Sequence, residues 1–419
     1  MSTGVHPGLA EQAFLVVSLL FFSGAQLVHS QNSVRDPTQS DPTAFLIQTF
    51  VFVVLAWFLY QHRAIAGRAA RHLYVVWMLV ALAFCSALWT QDHMTTAKRS
   101  LILFATTAFG IYFGARLTIR SQVRILAAAL GFAAVSSFVA GLLFPSYGVM
   151  AWEPVGAWSG IYGHRNPLAK MMVLAILAFV FRMRLGGSRF LSWAGISLAL
   201  VLIALSRSAT AIVVLASMIC VFRASRVLRW EKKKRIWAII IASGVLVGMA
   251  AWLFANISVV VDFLGRDMTL TGRVPLWIIC GLLGWQHPWL GYGFNGFWRG
   301  LDGPSAAVWK ITTWAPPNAH DGFLDMWLSL GLVGLVMLFA FLVPLLWRAV
   351  RAIHSSPSLE ALWPFFCVVF IVLYNLDESD LFSQNSIMWT LLVAAAVSIS
   401  RHTARRGRRT GDHTGVMPS

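Results

Sequence analysis

His320 stands in the segment Ala315-Pro-Pro-Asn-Ala-His-Asp-Gly-Phe-Leu-Asp, with Asp321 beside it and Asp325 one helical turn on. An imidazole with carboxylates to orient or polarise it suits general-base work near neutral pH. A lone histidine is otherwise more often structural, and those two carboxylates set this one apart. Arg165 lies in Gly160-Ile-Tyr-Gly-His-Arg-Asn-Pro-Leu-Ala, where His164, Asn166 and a helix entered through Pro167 offer further donors. Donors gathered at a helix start form a natural phosphate site. Arg273, in Leu270-Thr-Gly-Arg-Val-Pro, immediately precedes an apolar stretch, so a guanidinium and a helix end again address one place. Arg207 sits between Ser206 and Ser208 in a tight turn. The bland alternatives stay open: Arg165 as an interfacial anchor, Arg207 as a side chain snorkelling to headgroups. No HExxH, DxD or second histidine at ligand spacing occurs, so neither a metal nor any other cofactor is implied. A GxSxG elbow is missing too, which argues against a serine hydrolase. Cys85, Cys220, Cys280 and Cys367 each stand alone in apolar runs and suggest neither zinc nor a redox pair.

These residues need elements to hold them, and composition says where those elements lie. The chain has 419 residues, 58% hydrophobic and 12% charged, with a mean hydropathy of +0.71. Soluble proteins carry roughly 25% charged residues, so this is an integral membrane protein. Its fold class is all-α, a polytopic bundle of about twelve transmembrane helices. Apolar segments run near 13–28, 44–60, 73–89, 101–115, 125–144, 167–181, 190–205, 209–222, 236–255, 323–347, 361–376 and 386–399. Several are shorter than the roughly 20 residues of a span and need interfacial Trp, Tyr and Arg to complete them. No Lys or Arg precedes the first run, which reads as a retained span rather than a cleaved signal.

The net charge of +17 would suggest nucleic acid in a soluble chain. Here 23 of the 33 basic residues fall in alternate connections and the tail, a positive-inside pattern that places both termini in the cytoplasm. No nucleic-acid partner is expected; the basic run Arg223 to Arg235 meets membrane lipid instead. The organisation is then residues 1–255 as nine spans, 256–322 as an extracytoplasmic, periplasmic loop, 323–400 as three more spans, and 401–419 as a basic cytoplasmic tail. Ten basic residues remain outside: Arg35, Lys98, Arg99, Arg165, Lys170, Arg207, Arg266, Arg273, Arg299 and Lys310. Charge against the topology bias asks for a reason. Arg207 tips a hairpin about 24 to 27 Å above the cytoplasmic boundary at about 1.5 Å per residue, so it sits at or just under the outer edge of the hydrocarbon. Such a charge lines a wet cavity or meets an anion. In the long loop, Val274 to Trp285 is too short to span and reads as an interfacial helix. The loop tryptophans Trp277, Trp285, Trp289, Trp298, Trp309 and Trp314, with Tyr292, either form an aromatic belt or stack on sugar faces.

In order along the chain, Ser86-Ala-Leu-Trp-Thr-Gln-Asp with Lys98-Arg99, Trp158-Ser-Gly-Ile-Tyr-Gly-His-Arg-Asn, Ser206-Arg-Ser-Ala-Thr, Leu270-Thr-Gly-Arg, Pro288-Trp-Leu-Gly-Tyr-Gly-Phe, Ala319-His-Asp-Gly-Phe-Leu-Asp through Gly331-Leu-Val-Gly, and Asp377-Glu-Ser to Asn385-Ser-Ile-Met-Trp resemble the O-antigen ligase and polymerase superfamily of bacterial inner-membrane proteins. The wording is nearest to the exopolysaccharide polymerase branch. The resemblance implies a metal-independent transferase moving a glycan from an undecaprenyl-diphosphate carrier to a sugar hydroxyl on the periplasmic face of the inner membrane. Its partners would be that lipid-linked glycan and an acceptor glycan or lipid A-core. By the same resemblance His320 is the base, Arg207 and Arg273 hold the diphosphate, and Arg165-Asn166 matches a Gly-x-Lys/Arg-Asn element. Asp321, where many relatives have Asn, and Tyr292 complete the candidates. A ligase using lipid A-core is the close alternative to a polymerase. A lipid-linked oligosaccharide transporter is the remote one, since the ionisable residues gather at the outer end rather than along a path.

Overall fold

The computed structural model describes residues 7–25, 42–151, 154–225, 273–312, 314–355 and 358–411, and every named element in them is helical. The chain runs through α1 (Leu9–Phe22), α2 (Pro42–Gln61), α3 (Arg63–Ala70), α4 (Tyr74–Cys85), α5 (His93–Arg116) and α6 (Ile119–Leu143). It continues through the one-turn α7 (Pro145–Gly148), then α8 (Arg165–Arg184), α9 (Arg189–Ser206) and α10 (Ala209–Ala224). After the described gap come α11 (Arg273–Gly284), the short α12 (Ala306–Ile311), α13 (Gly322–Ser355), α14 (Leu359–Tyr374) and α15 (Ile387–Gly411). Each expected spanning segment overlaps one of these helices except 236–255, which falls outside the described residues, as do 26–28 of the first segment, Arg35, Arg266 and most of the basic run after Arg223.

An apolar backbone segment in lipid must satisfy its N–H and C=O groups internally, which is why these runs are helices. Among the described residues α6, α8, α9 and α13 are long and apolar enough to cross a membrane, and α2 with α3 forms a further candidate bent by 95°. Polar residues at the helix starts fix where each begins. The Asp92 carboxylate accepts the Thr95 amide at 3.0 Å, Thr118 accepts that of Ser121 at 3.2 Å, and Ser358 that of Ala361 at 3.2 Å.

Packing centres on α8, buried along almost its whole length from Leu168 to Phe181 and flanked by α6, α9, α10 and α14. The other central contact joins α5 to α15. It depends on Gly110-Ile-Tyr-Phe-Gly114: a Cβ on Gly114 would lie 2.8 Å from the Ala394 carbonyl oxygen, and one on Gly110 would lie 2.9 Å from that of Thr390. Small residues four apart let two helix backbones approach, as membrane helix pairs require.

The loop before α13 has a core of its own, built on Leu276, Cys280, Phe297, Val308, Ala319 and Leu328. Gly331 takes φ 64 and breaks α13 there. The Leu328 and Ser329 carbonyls then accept from the Tyr292 and Gly293 amides at 2.8 and 2.9 Å, which docks the loop onto the broken helix. Alternation of direction sends the starts of α8 and α13, the α9–α10 turn and the α14–α15 connection to one end of the bundle. Arg116, Arg120, Arg182, Arg184, Arg189, Arg223 and Arg401 lie at the other.

Candidate active site

His320 sits in the last turn of the loop before α13 in a left-handed conformation, φ 51. A non-glycine residue there costs about 1–3 kcal/mol and persists only where its surroundings over-determine it. They do here. Asn318 Oδ1 accepts the His320 amide at 3.0 Å, and the Asp325 carboxylate accepts that of Ala319 at 3.1 and 3.2 Å. The Trp277 indole donates to the Ala319 carbonyl at 2.9 Å, and the Gly322 amide to Asn375 O at 2.8 Å. Asp321 caps α13, its Oδ1 accepting the Phe323 and Leu324 amides at 2.9 and 2.8 Å, while its own amide donates to Ser379 Oγ at 3.1 Å. Burial pushes the Asp321 carboxyl pKa up, against the pull of those two amides. Both aspartates next to the histidine in sequence therefore hold backbone, with Asp325 also accepting the Trp298 indole at 2.7 Å.

The carboxylate that faces the imidazole comes from elsewhere. Glu378, in the connection between α14 and α15, places Oε2 3.7 Å from His320 Nδ1. Its Oε1 accepts the Asn166 side-chain amide at 3.1 Å and lies 3.9 Å from Arg273 Nη2. Glu378 is only 8% exposed. Burial pushes its pKa up, but the nearby His320 side chain, with the charges of Lys170 and Arg273, brings it down to about 2. It is an anion at neutral pH. His164, half-buried, is pushed down in pKa chiefly by burial, with Glu378 opposing and Arg165, His320 and Arg273 adding to the fall.

Two further ion pairs tie the same connection to the expected cations. Arg273 pairs with Asp377, whose other oxygen accepts the Thr210 hydroxyl. Buried Lys170 pairs with Asp380, its ammonium 5.9 Å from the centre of the Tyr374 ring. The Asp380 amide donates to Asn375 Oδ1 at 2.7 Å. Arg165 and Arg207 stand next to this group: Arg165 Nη1 donates to the Arg207 carbonyl at 3.1 Å, and Ser208 Oγ to Asn166 Oδ1 at 3.2 Å. Arg207, left-handed at φ 51, is exposed and donates to the Val155 carbonyl at 3.2 Å.

The tertiary structure thus gathers His320, Arg273 and Asn166 around Glu378, with Arg165 and Arg207 one residue further out. Tyr292 is not with them. Its hydroxyl donates to Leu283 O at 2.9 Å and its ring packs on His287 and Phe297, within the loop core. Of the loop tryptophans, Trp277, Trp298 and Trp309 direct their indole N–H groups inward, the last to Pro316 O at 3.0 Å, while Trp285, Trp289 and Trp314 are exposed. The residues that sequence reasoning missed are Asp377, Glu378 and Asp380, with Lys170 counted only as an outward charge. A signal was present: three carboxylates in four residues closing an apolar run, and a lysine inside another.

The described residues thus form an apolar helical bundle that holds a histidine, a buried carboxylate and clustered arginines at one end. Residues 193–339 match the family model described as O-antigen ligase, a span that contains Arg207, Arg273 and His320. The chain is also 24% identical over 313 residues, 71% of its length and 70% of the relative's, to the exopolysaccharide production protein ExoQ of Rhizobium meliloti (strain 1021). Both matches make the chain similar to the O-antigen ligase and polymerase superfamily, and its long apolar helices fit a multi-pass membrane protein.

Proposed function

We propose that the protein transfers a glycan from an undecaprenyl-diphosphate carrier to a sugar hydroxyl, at the periplasmic face of the inner membrane and with both termini in the cytoplasm. The observation that carries this reading is the convergence of His320 with Arg273, Arg165 and Arg207 at the bundle end away from the basic connections. His320 takes the proton of the acceptor hydroxyl as that oxygen attacks the anomeric carbon. The bond from that carbon to the diphosphate oxygen breaks, and the lipid diphosphate leaves with its electrons. Arg273, Arg207 and Arg165 offset the charge that grows on it, which a guanidinium does bidentately. Asn166 positions the start of α8 beside them. Diphosphate is a good leaving group, so proton removal and charge neutralisation suffice without a metal. A single displacement inverts the anomeric configuration.

His320→Ala is expected to lower product formation by roughly 10²- to 10⁴-fold while the protein stays folded in the membrane. Near-normal glycan on a gel would remove the base assignment. The likeness to an exopolysaccharide production protein fits a polymerase in which, on our reading, the acceptor is another lipid-linked repeat; the O-antigen ligase match supports the second reading, with lipid A-core as the acceptor we assign to it. A deletion strain separates them. Short or missing exopolysaccharide with intact lipopolysaccharide supports the polymerase, and bare core with accumulating carrier-linked polymer supports the ligase.

A further inference from the structure

We infer that Glu378 is the positioning residue of the transfer reaction: its carboxylate draws the Nδ1 side of the His320 imidazole and leaves Nε2 to meet the acceptor hydroxyl. The inference rests on His320 being the base. It starts from a mismatch between sequence and space. The carboxylates adjacent to His320 in the chain, Asp321 and Asp325, are engaged with backbone amides, whereas the imidazole faces a residue 58 positions away. Among the described residues His320 Nδ1 is buried with no hydrogen-bond partner inside 3.5 Å, and Glu378 Oε2 stands 3.7 Å off. A shift of well under 1 Å closes that gap, and hydrogen bonds of this kind are often long until the reacting complex forms.

Glu378 is held for the task. Asn166 fixes one of its oxygens, Arg273 lies across from the same oxygen, and Lys170 with Asp380 anchors the connection two residues on. The remaining ionisable groups about the imidazole are His164 at the start of α8 and Asp325 in the first turn of α13. Glu378 is the anion that approaches a ring nitrogen. Two effects follow. The carboxylate selects the tautomer with hydrogen on Nδ1, so the lone pair needed for proton abstraction is on Nε2. It also stabilises the imidazolium formed when the acceptor gives up its proton. Because Glu378 touches Arg273 as well, it links the base to the diphosphate end of the site through one side chain.

The experiment measures turnover against pH for the full chain in lipid nanodiscs, with an undecaprenyl-diphosphate oligosaccharide as donor and the matching oligosaccharide as acceptor, for the wild type, Glu378→Gln, Glu378→Asp and His320→Ala. Glu378→Gln is expected to lower kcat by roughly 10- to 1,000-fold with a smaller change in donor KM. Its acid limb should move to lower pH by about one unit, since an imidazole that loses an adjacent anion gives up its proton more readily. Glu378→Asp should recover part of kcat and return the limb towards the wild-type position. If Glu378→Gln is too slow for a profile, the aspartate variant decides: recovery supports the pairing and no recovery overturns it. An unmoved acid limb in a measurable Glu378→Gln also overturns it. When that result accompanies an inactive His320→Ala, only the pairing fails; wild-type turnover in His320→Ala removes the base reading and the pairing with it.

Discussion

Arg273 shows how much one side chain's chemistry matters here. Its guanidinium meets Asp377 and lies 3.9 Å from Glu378, a position from which a fork of donors can also take two phosphate oxygens. Arg273→Lys keeps the charge and loses the fork, so transfer is expected to fall by about 10- to 100-fold, corresponding to the loss of one strong charge-assisted contact. Full activity in a donor-titration assay would reduce Arg273 to an anchor. Glu378 gives a second expectation, in pH. Its folded pKa of about 2 lies below the ordinary glutamate value near 4.3, so its contribution to stability is complete above about 4.3 and disappears as pH falls through about 2. Thermal unfolding in detergent should show the wild type losing stability across that window more steeply than Glu378→Gln. Equal slopes would mean that the charge does not hold the fold.

Helices place these side chains through close contacts that a single carbon disrupts. α5 carries no candidate residue, yet it supports α15, and the α14–α15 connection with Glu378 enters the membrane again on that helix. Gly114→Leu would drive side-chain atoms into the Ala394 backbone, which cannot move aside as a flexible side chain can. Overpacking of this kind costs about 1–3 kcal/mol or more, so a lower unfolding temperature and reduced donor turnover are expected together. An unchanged unfolding temperature would show that the pair separates without loss. Much of this level was legible beforehand: the apolar runs gave the helices, and Val274 to Trp285 the short one that became α11. What was not legible was the break at Gly331. A glycine in an apolar helix reads the same whether or not its turn opens, and only the docking of Tyr292 and Gly293 onto the freed carbonyls distinguishes the cases.

Across the chain, charge divides by end. On the proposed topology, the outer group holds ten basic residues and twelve acids, and the inner group 23 basic residues and four acids. Impermeant maleimide applied from the periplasmic side should therefore label Lys310→Cys and spare Gly186→Cys, in a background where exposed Cys85 and Cys220 are serine. The opposite pattern would invert the orientation and move the proposed site to the cytoplasm. Trp285, Trp289 and Trp314 are exposed, while Trp277, Trp298 and Trp309 pack on the loop core. The composition could not sort these two groups, because an indole suits both an interface and a small buried cluster.

The amino-acid sequence alone determined that this is a helical membrane protein, and it singled out His320, Arg165, Arg207 and Arg273 as candidate site residues. Those conclusions follow from local properties: hydropathy over a window, charge counted by connection, donors at a helix start. The tertiary structure decided which carboxylate serves the histidine. Asp321 was adjacent and became a helix cap, because its side chain reaches the amides of its own first turn sooner than the ring beside it. Glu378 was remote and became the partner, because helices running in alternate directions return distant connections to the same end of the bundle.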